Sequence, residues 1–172
     1  MNGKAGCMDF GLMFFSSKSD DSRDKYQLLL QATRFADEHD FCFVYTPERH
    51  FEVFGGLFPN PSVISAALAM ITSKMQLRAG SLISPLHNPI RIVEEWSVVD
   101  NLSNGRAGLS VGSGWNVNDF VFFPERYANR HSIMYQQIET IQELWQSGTT
   151  HQKNSYGHEV TLTLHPKPIQ RT

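Results

Sequence analysis

Apolar positions along the chain fall into four short runs, each followed by a longer stretch in which they recur every three or four residues. The runs are Met8–Phe15, Phe41–Thr46, Met75–Ile83 and Ala107–Val111, rich in aromatic and branched residues, and they predict strands. Met8–Phe15 is apolar and aromatic enough to be buried on both faces. Between them, Tyr26, Leu29, Leu30 and Thr33 recur at helical spacing toward His39, and so do Ile64, Ala67, Leu68 and Ile71. Val93, Trp96, Val99 and Leu102 form a third stripe, and Met134, Ile138, Ile141 and Trp145 a fourth, within a helix from about Asn129 to Ser147. Punctuation agrees: Asn60-Pro61 and Asn88-Pro89 are helix openings, while Asn104-Gly105 and Gly148 are stops. Met1–Cys7 reads as an unstructured lead and Ser16–Ser22 as a polar turn. Past the last helix, Val160, Leu162 and Leu164 alternate with polar residues, a half-exposed strand paired in a hairpin across Asn154–Gly157.

Four strand-then-helix units predict an α/β fold with a parallel sheet and helical crossovers. Two architectures remain open. A closed eight-stranded barrel needs about 250 residues, so this chain would be its first half. A doubly wound open sheet of about five strands fits 172 residues without strain, and on pattern alone it is the better match.

Composition narrows the partners. The hydrophobic fraction is 41%, that of a globular protein, and 15 basic against 17 acidic residues leave a charge of -2 with no long run of one sign. Nucleic acid and anionic membrane are therefore not expected partners. No apolar stretch approaches the roughly eighteen residues of a membrane helix, and no signal-peptide pattern opens the chain. Cys7 and Cys42 lack CxxC spacing and are too few for a disulfide framework, so a cytoplasmic setting is expected.

Candidate chemistry gathers behind the strands. The fourth run leads into Gly112-Ser113-Gly114-Trp115, a turn whose glycines let backbone N–H groups approach a phosphate or a planar ring. Trp115 is placed to wall a pocket there, with Asn116, Asn118 and Asp119 as its polar contacts. The second run delivers Glu48-Arg49-His50, the densest ionisable cluster in the chain, in which His50 is the natural proton handler. The third carries the small residues Ala79-Gly80-Ser81. His131, His151, His158 and His165 have no metal-ligand spacing and read as surface residues, so no metal site is expected.

In order along the chain, Met8-Asp9-Phe10-Gly11, Thr46-Pro47-Glu48-Arg49-His50-Phe51, Phe54-Gly55-Gly56, Pro59-Asn60-Pro61-Ser62, Pro85-Leu86-His87-Asn88-Pro89-Ile90-Arg91, Glu94-Glu95-Trp96-Ser97-Val98-Val99-Asp100-Asn101-Leu102-Ser103 and Ser113-Gly114-Trp115 resemble the bacterial luciferase-like flavin monooxygenases. The nearest likeness is to the luciferase-like domains of natural-product biosynthesis, and it runs from about Met8 to Gln170. The resemblance implies TIM-barrel ancestry with four to five β/α units, about half a barrel, so that residues 8–172 are the N-terminal half of such a domain. It also implies reduced FMN from a separate reductase, oxygen activation at the flavin, and a small organic substrate. Some relatives use a deazaflavin instead.

Carried over residue by residue, the resemblance puts Gly80 and Ser81 under the flavin ring, often through an unusual cis peptide. Gly112, Ser113, Gly114 and Trp115 fall on the loop that contacts flavin and its phosphate. Luciferase has a basic residue where Ser113 stands, and related domains show His-Pro where this chain has Asn116-Val117. Of the catalytic candidates Glu48, Arg49 and His50, Arg49 matches the histidine held to be catalytic in luciferase; a guanidinium there fixes an anion rather than accepting a proton. Glu94 and Glu95 lie on the helix that faces the dimer interface in the family. The expected function is an FMN-dependent monooxygenase working as a homo- or hetero-oligomer. The alternative is a non-catalytic, truncated flavin-binding or subunit-like half-barrel.

Overall fold

The computed structural model of the chain describes residues 8–15 and 23–171; the expected lead at Met1–Cys7 and turn at Ser16–Ser22 lie outside them. Four parallel strands, β1 (Gly11–Met13), β2 (Phe43–Thr46), β3 (Gln76–Ile83) and β4 (Ala107–Gly112), pair in the order β1-β2-β3-β4. The crossovers carry α1 (Gln27–Glu38), α2 (Pro61–Ala69) and α3 (Pro89–Leu102), and α4 (Arg130–Ser147) follows β4. This order decides between the two architectures. A doubly wound sheet reverses its strand order at the ligand crevice, whereas a barrel adds each strand beside the last. The sheet is therefore a partial barrel of four β/α units, and the open-sheet reading is replaced. A separate antiparallel hairpin, β5 (Thr149–Lys153) with β6 (Glu159–Thr163), turns across Asn154–Gly157 as expected.

The two faces of the sheet differ. Val44, Leu77, Ala79 and Leu82 are buried beneath the helices, in cores shared with Leu29, Ile64 and Leu68 on one side and Val93, Trp96, Val99, Ile141 and Leu144 on the other. Phe43, Tyr45, Arg78 and Gly80 alternate with them and stay half-buried on the opposite face. There Arg78 stacks on Phe43 at 4.6 Å and donates to the Tyr45 hydroxyl at 3.0 Å. Gly11 is required on that face because a Cβ would enter the Phe43 ring.

The expectation that Met8–Phe15 is buried on both faces is corrected. Only Gly11–Met13 forms strand, and Phe10 and Met13 are 60% and 65% exposed. A parallel strand is buried on both faces only where strands flank it and helices cover it, and among the described residues β1 has one neighbour. β4, at the other edge, is half-buried throughout for the same reason. The helical stripes hold with local exceptions: Ala67 and Leu102 face outward, and Leu144 is the deeper residue beside Trp145.

Local chemistry sets the helix ends. Asn60 Oδ1 accepts the N–H groups of Ser62 and Val63 at 3.0 and 3.1 Å, and Asn88 Oδ1 accepts that of Ile90 at 2.9 Å, each cap worth about 1 kcal/mol. Gly148 closes α4 in the left-handed region at φ +70°. At the amino-terminal end of the sheet, the carboxylate of Asp37 accepts the backbone N–H groups of Ser73, Lys74 and Met75 at 2.7 to 2.8 Å. Beside it, Arg106 donates to the carbonyls of Thr72 and Met75. That end is braced shut, which leaves the carboxyl-terminal end for chemistry.

Candidate functional site at the strand ends

Because β2, β3 and β4 are neighbours, the segments that leave their carboxyl ends are neighbours too. Glu48, just past β2, is 5% exposed and is the hub. Its Oε1 meets Nε2 of His50 at 3.0 Å and Nε2 of His87 at 2.5 Å, while Oε2 accepts the N–H of Ile83 at 2.6 Å. Burial alone would raise this carboxyl; the hydrogen bonds from His50 and His87, the charge of His87 and the Ile83 N–H outweigh it and hold it below the ordinary range. The Glu48 main chain also donates to the Ser81 carbonyl at 3.2 Å, tying β2 to β3 at the same level. Among the described ion pairs Glu48 is not joined to Arg49, its neighbour in the chain, but to the two histidines.

His50 is 8% exposed, edge-on to Phe122 at 5.1 Å. The next residue, Phe51, sits in the left-handed region at φ +59°, which costs a bulky side chain about 1–2 kcal/mol and turns the chain so that its ring meets Phe122 at 5.5 Å. Arg49 points elsewhere. Its guanidinium lies 4.5 Å from the centre of the Trp115 ring, and its Nε is buried without a partner among the described residues.

On β3 the Gly80–Ser81 peptide is cis, which the sequence left open, and the register with β4 shifts between Gly80 and Leu82. A Cβ at Gly80 would approach the Tyr45 ring to 2.6 Å, so only glycine fits. Ser81 Oγ faces Ser110 Oγ at 3.3 Å, and Gly112 lies directly beside Ser81. After β4, Gly114 takes φ +75° with Ile83 and Phe120 packed where a Cβ would stand, and its carbonyl accepts from Arg130 Nε at 2.9 Å. Trp115 is 71% exposed. The N–H groups of Gly114 and Trp115 have no acceptor among the described residues.

The structure thus brings Glu48, Arg49, His50, Gly80, Ser81, Gly112, Ser113, Gly114 and Trp115 to one end of the sheet. Asn116 and Asp119 are corrected as pocket contacts, while the Asn118 side chain is exposed. Asn116 Oδ1 caps the N–H of Asn118 at 3.1 Å and its Nδ2 donates to Asp119 Oδ1 at 3.0 Å, so their polar groups shape the turn. Asp119 is buried, and that burial raises its carboxyl against the lowering charges of His50 and Arg49. His87 was missing from the sequence-derived set. Its signal was its place, a histidine just past the end of a parallel strand, and its main chain is fixed by Arg126 Nη1 and Gln137 Nε2, both 3.0 Å from its carbonyl. His131, His151, His158 and His165 are exposed. Glu95 is held within the chain by Arg91 at 2.9 Å and Ser62 at 2.6 Å. Among the described residues, no helix is long and apolar enough to cross a membrane.

Known proteins carry the same organisation. The chain is 25% identical over 173 residues to the oxygenase component of the flavin-dependent trigonelline monooxygenase of Acinetobacter baylyi, covering 95% of this chain and 46% of that protein. Its fold matches the crystal structure of monooxygenase RslO1 from Streptomyces bottropensis with a TM-score of 0.85 at 24% identity, over 95% of this chain and 51% of that one. It also matches the oxygenating constituent of 3,6-diketocamphane monooxygenase from Pseudomonas putida, solved with FMN, at a TM-score of 0.76 and 14% identity, over 95% and 47%. The chain spans about half the length of these relatives. The sequence pattern of the luciferase-like monooxygenases matches residues 8–172. The chain belongs to the luciferase-like monooxygenase family.

Proposed function

We propose that this chain carries the flavin-binding and proton-handling half of an FMN-dependent monooxygenase, which takes reduced FMN from a separate reductase and oxygenates a small organic substrate. A natural-product pathway is the setting the sequence resemblance favours. The observation that carries the reading is the convergence, at one end of three adjacent parallel strands, of a buried carboxylate on two histidines with a glycine-rich turn in which the N–H groups of Gly114 and Trp115 have no acceptor among the described residues.

The residues present fit a flavin. Gly80, Ser81 and Gly112 form a small-residue shelf with two hydroxyls on the open face. The amides of Gly114 and Trp115 and the Arg49 Nε, without a partner among the described residues, offer donors to an anionic group. Ser113, Gly114 and Trp115 would hold the flavin edge and its phosphate, and Trp115 offers its face. Reduced FMN, when bound, supplies the electrons and the centre at which oxygen is activated.

The chain's own groups do the rest. An ionised Glu48 accepts from Nε2 of His50, which leaves Nδ1 as the free nitrogen of the neutral ring, able to take a proton or, once charged, to donate one. Arg49, permanently charged, fixes an anionic oxygen beside Trp115. Phe51 and Phe122 flank His50 and exclude water from it.

An FMN titration of the purified chain, followed by flavin fluorescence with size exclusion on the same sample, tests the reading. Saturable binding by a discrete species is expected, weakened about tenfold in Trp115→Ala by loss of roughly 1.4 kcal/mol of ring contact. A Gly114 substitution is a poorer probe, since any side chain there collides with Ile83 and Phe120. Saturable binding that Trp115→Ala leaves unchanged sinks the loop assignment. A discrete complex that binds FMN without turnover favours a subunit role, to which the open edges at β1 and β4 are also suited.

A further inference from the structure

His50 and His87 come from different strand ends and meet the same oxygen of the same buried carboxylate. A carboxylate only accepts hydrogen bonds, so each ring presents Nε2–H to it and keeps Nδ1 for other partners. No described residue bonds to either Nδ1. The rings differ in access: the side chain of His50 is 9% exposed and walled by Phe51 and Phe122, while that of His87 is 30% exposed.

One carboxylate cannot neutralise two imidazolium rings that both touch its Oε1, because their charges repel at this range in a site of low dielectric. The other charged groups facing the cluster are few. Asp119 approaches His50 from the turn after β4, Arg49 and Glu52 share its loop, and Arg126 reaches the carbonyl of His87. Asp119 Oδ1 is taken by Asn116 Nδ2 at 3.0 Å, and no hydrogen bond among the described residues joins its carboxylate to either ring.

We propose that Glu48 couples His50 and His87 into a pair that holds one excess proton between them. A proton accepted at His50 Nδ1, on the walled side, drives release of one from His87 Nδ1 to solvent. Both Nε2–H bonds and the carboxylate charge are unchanged, so one proton enters and one leaves and no electrons move. His87 is thus a positioning residue and the solvent outlet for His50, and its tie to Arg126 and Gln137 keeps that outlet in place. The use of this proton in turnover rests on the monooxygenase reading; the coupling does not.

Ring 15N signals of the full chain, titrated from mildly acidic to mildly alkaline pH and assigned through His50→Gln and His87→Gln, test it. In the wild type both rings are expected as Nε2–H tautomers that titrate in two shared steps, the signature of interacting sites. His87→Gln removes an outlying, partly exposed ring and leaves His50 titrating in a single step with its tautomer kept. Glu48→Gln abolishes the shared steps and releases both tautomers. Wild-type rings that each titrate in one step, with the His50 curve identical in His87→Gln, overturn the proposal. Shared steps in a chain that never binds flavin uphold the coupling and count only against the proposed function.

Discussion

Asp37 and Glu48 are carboxylates at opposite ends of one sheet, each 5% exposed and each held below its ordinary range. In both, burial pushes the carboxyl upward and hydrogen bonds outweigh it. For Asp37 the donors are the main-chain N–H groups of Met75, Ser73 and Lys74, which never change their protonation. For Glu48 they are chiefly two imidazole rings, which do. Equal exposure and an equal direction of shift therefore accompany a brace at one end and a cluster of titratable groups at the other. The identity of the donors, rather than solvent exposure, separates structure from chemistry.

Four experiments press on that contrast. The largest stability effect is expected from Asp37→Ala, which strands three amides at the entry to β3 and lowers stability by about 3 kcal/mol, read as a fall in the urea midpoint. The folded fraction keeps its histidine tautomers. A folded Asp37→Ala chain with altered His50 signals would erase the distinction between the ends. Glu48→Gln keeps the shape and is expected to cost only about 1–2 kcal/mol, yet to lower turnover of a flavin-competent assembly about a hundredfold. Equal losses of turnover in the two variants would break the comparison from the other side.

Acid titration sharpens it further. Both folded carboxyls lie below their ordinary values of 3.8 and 4.5, so their stabilisation is complete above those values and fades as pH falls through the lower folded ones. Urea midpoints measured over a pH series should drop below about pH 4 in the wild type and drop less steeply in Asp37→Asn. A slope unaffected by that substitution would remove Asp37 from the account. The smallest effect belongs to Asn60→Ala, which deletes the cap of α2 and costs about 1 kcal/mol without disturbing the Glu48 cluster. Here a loss of several kcal/mol would mean that the loop after β2 depends on the cap more than its hydrogen bonds indicate.

Much of this was legible before any coordinates. Strand positions followed from apolar runs, helix starts from Asn-Pro pairs and the end of α4 from Gly148, because each depends on a few adjacent residues. The site loops were legible as Gly-rich or charge-dense segments behind strands. His87 was overlooked as a site residue because nothing within its own stretch distinguishes it; it matters only because Glu48, far off in the chain, reaches it. Asn116 and Asp119 were misread for the opposite reason. Polar residues beside a functional loop look like ligand contacts until the turn they cap is seen.

The division follows the range of the forces involved. Periodicity, caps and left-handed glycines act over a few residues, so the order and type of the elements, and the family motifs they carry, were written in the sequence. Strand order, and with it the choice of a partial barrel over a reversed open sheet, is a long-range property of packing helices onto a twisted sheet. Only that packing could bury Glu48 between two histidines and leave Arg49, its neighbour in the chain, stacked on Trp115 instead.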